Sequence, residues 1–333
     1  MQIQKLKKLI SKILLKYNLN KKDAEICTKA LINAELVGAP SHGVSRLKMY
    51  CERINKKVIN PKPKIKIKKV TNSVSLIDAD NSIGFVAADT GIKETIKIAK
   101  KTGIAFVGIK NSGHYGLSGY YIEQAVKKKL LAFAFTNAPP AIAPHGGKKT
   151  IFGTNPICFG SPTNNNIPFI LDTSMSMINR GKIRVAAKLN KSIPKGVALD
   201  KFGKQTTNAK DALSGVQLPI ASFRGSGLAW MVDILTGVFV GSAHSGKVKD
   251  PFDDFRGPQN IGHLFIAFKN NLFVKNFKQQ IKVNINRIKN IPKIKGEKIY
   301  YPGERKFFRK KLNSKKTIKI PSSIKKDLDN LLS

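Results

Sequence analysis

The spacing of hydrophobic residues predicts helices at both ends of the chain and a strand-rich middle. From residue 1 to about 57, apolar residues recur at helical spacing, with lysines between them in the first segment. Asn20 is suited to cap the second of these helices, and the Gly-Ala-Pro run at residues 38–40 ends it. Helical spacing returns in residues 277–333.

The chain between these ends alternates between short apolar runs and Gly- or Pro-rich segments. Residues 103–121 have the pattern of a strand, a Gly-rich turn that contains His114, and a helix. Residues 137–174 lack helical periodicity over a length that is typical of a loop lining a site. Residues 261–268 predict a buried strand. Strands and helices alternate only loosely, which predicts the α/β class without an assured doubly wound order.

Two further segments carry specific predictions. Residues 225–243 predict one long apolar helix. The run SHGVSRL at residues 41–47 is expected to open a helix in which His42 and Arg46, four positions apart, share one face. A surface pair and a carboxylate-binding pair are the two interpretations of this spacing.

The net charge is +40, from 60 Lys and Arg against 20 Asp and Glu in 333 residues. A strongly basic chain is a candidate for binding nucleic acid or another polyanion, because neutralising phosphates releases counterions. Here the lysines are dispersed along the whole length, arginine is scarce and aromatic residues are not interleaved with basic clusters. We therefore attribute the charge to a composition rich in Lys, Ile and Asn, and predict no nucleic-acid partner. A positive field would still steer an anionic cofactor or substrate toward a cleft.

The cysteines indicate a reducing compartment. Cys27, Cys51 and Cys158 are an odd number at wide spacing, which matches neither a zinc motif nor a disulfide framework. We predict a cytoplasmic location and no membrane partner, because no run approaches the roughly 18 to 20 apolar residues that span a bilayer. The N-terminal segment also lacks the features of a signal peptide. The five histidines are too scattered for a metal-ligand motif, so we expect no metal site.

Common catalytic motifs are missing, yet the order of the remaining polar residues is informative. The sequence has no phosphate loop, no nucleophile elbow and no Rossmann dinucleotide fingerprint. It resembles the malate/L-lactate dehydrogenase family of the non-Rossmann type, which includes sulfolactate and ureidoglycolate dehydrogenases. Each matching fragment is weak alone, but together they cover nearly the whole chain in the family's order. The fragments are SHGVSR (41–46), SGHYGLSGYY (112–121), TNAPPAIAPHGG (136–147), GTNPICFGSPT (153–163), LDTSMSMINRGKI (171–183), GLAWMVDILTGVFVGSA (227–243), NIGHLFIAF (260–268) and PGER (302–305).

The resemblance implies a fold, a cofactor and an assembly. It implies an α/β (α+β) fold with a mixed sheet like that of L-sulfolactate dehydrogenase, and a cofactor domain that is not of the Rossmann type. Residues 1–70 together with 269–333 would form a helical terminal domain, and residues 71–268 an NAD(P)-binding domain. The activity implied is interconversion of a small anionic 2-oxo acid and its L-2-hydroxy acid with NAD or NADP. A homodimer with the site near the subunit interface is also implied.

Hydride transfer to a carbonyl needs a carboxylate anchor and a proton donor at the developing alkoxide. Arg46 suits the anchor, since a guanidinium fork matches a carboxylate with two hydrogen bonds. A histidine suits the acid/base role, because its reference pKa of about 6.5 is close to operating pH. His114 and His42 are both candidates for this role. We assign it to His114, with His42 and Ser41 orienting the substrate oxygen.

The implied cofactor residues include one departure from the family. The pattern falls on Asp172, Thr173, Ser174, Arg224, Gly303, Glu304 and Arg305. An acidic residue among them would accept hydrogen bonds from ribose hydroxyls, and a basic one would meet phosphate. Many members read GGHKGYGL where this chain has ASFRGSGL at residues 221–228, so Arg224 replaces a lysine. The alternatives left open are a diketogulonate or cyclic-imine reductase, and a polyanion-binding protein on a dehydrogenase scaffold.

Overall fold

A computed structural model describes residues 1–332 of the chain. The helices within them are α1 (Ile3–Lys16), α2 (Lys21–Leu36), α3 (Leu47–Asn55), α4 (Gly84–Thr102), α5 (Ser118–Val126), α6 (Arg180–Lys188), α7 (Ala209–Ser214), α8 (Phe223–Asp233), α9 (Phe277–Lys289), α10 (Glu304–Asn313) and α11 (Ser322–Leu332). The strands are β1 (Lys66–Lys69), β2 (Val74–Asp78), β3 (Ile104–Ser112), β4 (Leu130–Thr136), β5 (Ile157–Ser161), β6 (Phe169–Thr173), β7 (Ala198–Leu199), β8 (Val216–Gln217) and β9 (Ile261–Lys269).

Seven of these strands form one mixed sheet, in the order β1-β2-β3-β9-β4-β5-β6. Only β2 and β3 pair in parallel; the other neighbours are antiparallel. β9 is the last strand in the chain, yet it lies between β3 and β4. Its continuous apolar run is explained by this central place, where both faces of the strand are covered. The predicted mixed α/β fold and the buried strand over residues 261–268 are confirmed.

Apolar side chains from both ends of the chain share one core. α1 packs against α2 and α11, and α10 packs against α2. Leu6 of α1 and Leu328 of α11 are buried in this core. The amino group of Met1 donates a hydrogen bond to the carbonyl oxygen of Ile318 at 2.7 Å. β1 is nevertheless an edge strand of the sheet, so the sheet begins within residues 1–70, and the division into two domains stays a prediction.

The hydrophobic pattern predicted where helices occur better than it predicted where they end. Asn20 caps α2 as predicted, and its side chain accepts a hydrogen bond from the backbone N–H of Asp23. The apolar helix predicted over residues 225–243 begins at Phe223 and is α-helical only to Asp233. It continues as a π-helical turn over Ile234–Val238, a change of pitch that apolar spacing does not reveal. None of the helices within residues 1–332 has the length and hydropathy needed to cross a membrane.

The three cysteines are buried and unpaired. Cys27 and Cys51 lie in the core shared by the chain ends, and Cys158 lies in the core beneath the sheet. Burial raises the pKa of each thiol, which keeps all three protonated and unreactive. The cytoplasmic location stays a prediction.

His263 is a fully buried histidine near the start of β9. Its Nδ1 lies 2.7 Å from the Thr136 hydroxyl, and its Nε2 lies 2.9 Å from the Ser112 hydroxyl. Its ring stacks on Tyr115, with 4.4 Å between the ring centroids. Burial lowers the pKa of His263 to about 3, so the ring is neutral in the folded protein at neutral pH. Both ring nitrogens are engaged within the core, which marks His263 as a structural residue.

This burial predicts a pH dependence of stability. As the pH falls below about 6.5, the unfolded chain binds a proton on His263 that the folded chain excludes, so the free energy of unfolding falls. Each buried neutral histidine contributes a slope of about 1.4 kcal/mol per pH unit. A His263→Gln variant lacks this contribution and should lose about 2 kcal/mol less than the wild type between pH 7 and pH 5. Urea titrations at the two pH values measure the difference, and equal losses in both proteins would contradict the assignment.

Candidate active site

The segment that carries Ser41, His42 and Arg46 is not one helix. It forms two short 3-10 turns, Pro40–His42 and Val44–Arg46, and α3 begins only at Leu47. The prediction that His42 and Arg46 share one α-helical face is therefore wrong.

The physical reason for this break lies at Gly43, between the two turns. The carboxylate of Glu35 accepts a hydrogen bond from the backbone N–H of Val44 at 2.8 Å. A Cβ atom on Gly43 would collide with that carboxylate. The tertiary contact with α2 thus replaces an intrahelical hydrogen bond and turns the chain before α3 starts.

Arg46 is half-buried and has no acidic partner. Its Nε donates a hydrogen bond to the carbonyl oxygen of Ser41 at 2.7 Å. Within residues 1–332 no carboxylate lies within ion-pairing distance of its guanidinium. Burial, with a further effect of the nearby Arg184, lowers the pKa of Arg46 from its usual value, although the group stays charged. The two terminal nitrogens of Arg46 are therefore free to bind a carboxylate from outside the chain.

His114 lies in the turn between β3 and α5, as predicted. Its Nδ1 is 2.6 Å from the hydroxyl of Tyr50, a buried residue of α3. Burial raises the pKa of Tyr50, so this hydroxyl keeps its proton. The same hydroxyl is 3.4 Å from the carbonyl oxygen of His114 and can donate there while it accepts from Nδ1–H. The backbone N–H of His114 donates to the side chain of Gln259 at 3.2 Å.

His42 and His114 form a pair of stacked rings, with 5.7 Å between centroids and 27° between planes. His42 Nδ1 lies 3.0 Å from the Ser41 hydroxyl. Burial, Arg46 and Lys306 lower the pKa of His42 to about 4. Burial, then Arg46 and His42, hold the pKa of His114 well below its usual range. Both rings are neutral at pH 7 in the protein without substrate.

The structure explains how residues 41–46 reach His114. α4 begins directly against the turn that carries His114. The approach is so close that a Cβ atom on Gly84 would overlap the backbone of Gly113 and His114. Phe85, the next residue of α4, packs against the ring of Tyr50 at 5.1 Å. Tyr50 and Gly84 were not identified from the sequence. Both lie on apolar helical patterns, which indicate core packing and give no sign of a site.

A second wall of the site comes from α6 and residues 250–257. A Cβ atom on Gly181, in the first turn of α6, would lie 3.3 Å from Ser41 and 4.0 Å from an Arg46 terminal nitrogen. The guanidinium carbon of Arg46 is 4.8 Å from the ring centre of Phe252, and that of Arg184 is 4.2 Å from it. Phe252 therefore lies against two guanidinium groups.

Arg53 holds residues 250–257 in place. It is fully buried on α3, although it carries a charge. Its terminal nitrogens donate to the carbonyl oxygens of Asp254 at 2.9 Å and Gly257 at 3.2 Å, with longer contacts to Asp250 and Pro251. The Nε of Arg53 is buried without a partner, so these carbonyl oxygens supply the hydrogen bonds of a buried cation and are costly to remove. Arg53 was also missed from the sequence; its position one turn after Tyr50, on the buried face of α3, was the available signal.

A cleft next to this site contains Asp172 and Gly303. Asp172 Oδ2 accepts a hydrogen bond from the backbone N–H of Gly119 at 2.9 Å, at the start of α5. Gly303 also lines the cleft and lies beside the backbone of β6, the strand that carries Asp172. Lys306 also lines the cleft, and its positive charge contributes, after burial and Arg46, to the low pKa of His42. The Oδ1 of Asn33, in the same wall, is buried without a hydrogen-bond partner.

Glu304 and Arg305 follow Gly303 but make contacts of their own. The Glu304 carboxylate is buried, pairs with Lys289 and accepts from the backbone N–H of Tyr301 at 3.3 Å. The guanidinium carbon of Arg305 lies 5.5 Å from the ring centre of Tyr300. Glu304 therefore closes the turn before α10, and its oxygens are already occupied.

Thr173 and Ser174 lie at the end of β6, next to Asp172. The Thr173 hydroxyl donates to the carbonyl oxygen of Ser174 at 3.3 Å. The Ser174 hydroxyl lies 3.4 Å from that of Ser176. The cofactor roles of these residues, like those of the other predicted residues, stay predictions.

Arg224 is exposed at the start of α8, and no hydrogen bond or ion pair within residues 1–332 joins it to Asp172. Before it, Ala221 (φ 47°) and Ser222 (φ 54°) both have positive φ angles. Many members of the family resembled here have two glycines at these positions. The chain therefore holds non-glycine residues in a conformation that favours glycine.

We expect Ala221→Gly to raise the free energy of unfolding by up to about 1 kcal/mol, because it relieves the left-handed conformation. Ala186→Gly within α6 is the matched control and should lower it by about 0.5–1 kcal/mol, since glycine costs entropy in a helix. Urea titration of both variants measures the two shifts. If Ala221→Gly lost as much stability as Ala186→Gly, the backbone at Ala221 would not be strained.

The mixed sheet with β9 at its centre, and the arginine and histidine site beside a cleft, define the class of dehydrogenases that lack a Rossmann domain. Residues 1–329 match the family profile described as malate/L-lactate dehydrogenase. The chain belongs to this family, and the resemblance found in the sequence is confirmed.

The chain is 35% identical, over 97% of its length, to malate/(S)-sulfolactate dehydrogenase of Methanothermus fervidus, of which it covers 94%. It is 37% identical over 74% of its length to (2R)-3-sulfolactate dehydrogenase (NADP(+)) of Chromohalobacter salexigens, of which it covers 74%. It is 32% identical over 90% of its length to ureidoglycolate dehydrogenase (NAD(+)) of Escherichia coli, of which it covers 86%.

A solved structure shows the same fold. Sulfolactate dehydrogenase from Methanocaldococcus jannaschii superposes with a TM-score of 0.92 and 34% identity, over 99% of this chain and 96% of that one. The relatives are dehydrogenases of hydroxy acids, some named for NAD(+) and some for NADP(+). The predicted enzyme class, NAD(P)-dependent 2-hydroxy acid dehydrogenase, and the prediction of NAD or NADP as cofactor are confirmed at the level of the family.

Proposed function

We propose that this protein interconverts a small 2-oxo acid and its L-2-hydroxy acid with NAD or NADP. The observation that carries the proposal is the guanidinium of Arg46, which has no acidic partner within residues 1–332 and lies near two neutral histidines. A free fork of donors binds a carboxylate, and an adjacent imidazole exchanges a proton with the neighbouring oxygen. The +40 charge adds a field that attracts an anionic substrate.

Three polar residues of the cleft have the chemistry that a dinucleotide needs. Asn33 offers a buried amide oxygen without a partner, and the second oxygen of Asp172 is not engaged by Gly119. Both are acceptors of the kind that ribose hydroxyls need, and Lys306 offers a positive charge for phosphate. A bound nicotinamide supplies or accepts the hydride. These three residues, together with Gly303, are the ones we propose to hold the cofactor.

His114 exchanges the proton in this proposal. When the Tyr50 hydroxyl accepts from Nδ1–H and donates to the His114 carbonyl oxygen, Nε2 is free. Nε2 then takes a proton from the hydroxy acid or, once protonated, gives one to the 2-oxo acid. A bound carboxylate offsets the charge of Arg46, which is one cause of the low pKa of His114. Binding of a 2-oxo acid therefore raises this pKa and is coupled to proton uptake.

The predicted homodimer is also a proposal, supported by an uncovered apolar surface. α8 is rich in apolar residues, and one side packs on the sheet through Val232. Its other side leaves Trp230 57% exposed, and Phe239 beyond it is 67% exposed. An exposed apolar stripe of this kind is typical of a protein interface. We propose a second copy of the chain as the partner, which sedimentation velocity tests; a monomer at micromolar concentration would exclude it.

The test of the function is a kinetic comparison of NADH and NADPH across a panel of 2-oxo acids and cyclic imines. We expect oxidation of at least one reduced cofactor with at least one 2-oxo acid. Turnover of cyclic imines alone would transfer the protein to the reductase branch of the family. No turnover, together with steeply salt-dependent retardation of nucleic acid in a gel, would favour the polyanion-binding alternative.

A further inference from the structure

Arg46 is not the only guanidinium at this wall of the site. Arg184 lies on α6 one turn after Gly181, and residues three apart on a helix share a face. Gly181 lies against Ser41 and Arg46, so this face of α6 points toward the site. The guanidinium carbons of Arg46 and Arg184 both lie within 5 Å of the centre of the Phe252 ring, so the two groups are neighbours at this wall.

The arginines outnumber the carboxylates that face them. After burial, the nearby charge of Arg184 contributes to lowering the pKa of both Arg46 and Arg180, and the carboxylates that act in the opposite direction are Asp250 and Asp253. The one ion pair among these groups joins Arg184 to Asp250 at 3.6 Å, which is too long for a good hydrogen bond. The Nε of Arg180 is buried without a partner. One carboxylate bound at Arg46 would leave Arg184 with unused donors.

We propose that Arg184 is a specificity-determining residue that binds a second anionic group of the substrate. In this arrangement Arg46 holds the carboxylate next to the reacting carbonyl, and Arg184 holds a carboxylate or sulfonate at the other end of the molecule. The substrate class is then a 2-oxo acid with two negative charges. This inference rests on the proposed function, because it assumes that Arg46 binds the substrate carboxylate.

Three substrates of similar size separate the effect of a second negative charge from the effect of the group that carries it. Oxaloacetate carries a second carboxylate, 3-sulfopyruvate carries a sulfonate, and 2-oxobutyrate has a methyl group at that end. We expect the wild-type kcat/KM to be higher for one or both dianions than for 2-oxobutyrate. The preferred dianion identifies which group occupies the Arg184 position.

The variants are Arg184→Gln, Arg184→Lys and the control Lys188→Gln, which removes an exposed charge one turn further along α6. In Arg184→Gln we expect kcat/KM for the preferred dianion, divided by that for 2-oxobutyrate, to fall roughly 10- to 100-fold, mainly through KM. Arg184→Lys keeps the charge but loses the planar fork, so its ratio should fall by less. The ratio in Lys188→Gln should stay within about twofold of the wild type.

The outcomes separate this inference from the proposed function. If the wild type prefers 2-oxobutyrate, or if Arg184→Gln lowers kcat/KM equally for all three substrates, the inference is overturned while the dehydrogenase function stands. If no 2-oxo acid is turned over, both fall. Should Arg184→Gln fail to fold, Arg184→Lys decides: an unchanged ratio overturns the inference, and a selective rise in KM for the dianion supports it.

Discussion

Replacing His114 with alanine is expected to lower kcat by about two to four orders of magnitude, the usual range for a general acid or base. The Tyr50 hydroxyl holds the imidazole at Nδ1, and the Gln259 side chain accepts a hydrogen bond from the backbone N–H of His114. Such positioning leaves Nε2 to meet the reacting oxygen. Steady-state kinetics in both directions, with KM for the cofactor measured in parallel, give the size of the effect.

Two further variants, His42→Ala and His244→Ala, serve as comparisons for His114→Ala. His42→Ala should lower kcat by less, because in the proposed mechanism that ring, which contacts the Ser41 hydroxyl and stacks on His114, positions the substrate and does not exchange the proton. His244→Ala, outside the site, should keep kcat within about twofold of the wild type, as surface changes away from a site usually do. A near-normal rate in His114→Ala with a large loss in His42→Ala would transfer the acid/base role to His42.

Replacing Arg46 with glutamine is expected to lower kcat/KM for the 2-oxo acid by roughly two to three orders of magnitude, since the loss of one partner from a buried charge pair costs 2–5 kcal/mol. The guanidinium has no acidic partner within residues 1–332, so its terminal nitrogens are available to the substrate alone. Arg46→Lys should recover only part of the loss, because an ammonium cannot form the paired hydrogen bonds of a fork.

The same substitution should change the pH profile. The charge of Arg46 is a cause, after burial, of the low pKa of both His42 and His114. Removing it should raise both pKa values, so the limb of the kcat/KM profile that reports the histidine moves to higher pH. A pH series from about 5 to 9 with the wild type and Arg46→Gln measures the shift. A profile that does not move, together with a normal KM, would show that Arg46 lies outside the substrate site.

The sequence by itself determined most of the local elements and supplied the candidate site residues, whose roles stay predictions. The strand, turn and helix around His114, the cap at Asn20 and the buried strand β9 follow from residue spacing, because periods of 2 and 3.6 residues are properties of a short segment. The family was also accessible from the order of its fragments along the chain. The same local rules failed at residues 41–46, where the Glu35 carboxylate of another helix breaks the predicted helix.

Tertiary structure alone decided which residues meet. Tyr50 reaches His114 across 64 positions of sequence, and Arg53 reaches Gly257 across 204. The hydrophobic periodicity of the sequence predicts neither contact. Both depend on how α3 packs against α4 and on the position of β9 between two strands that precede it in the chain. From its sequence pattern, Arg184 is a solvated charge on a helix. Only the structure shows that it lies beside Arg46, with the Phe252 ring in contact with both guanidinium groups. The residue types supply the chemical groups of the site. Their positions relative to one another are set by the packing of segments that are distant in sequence.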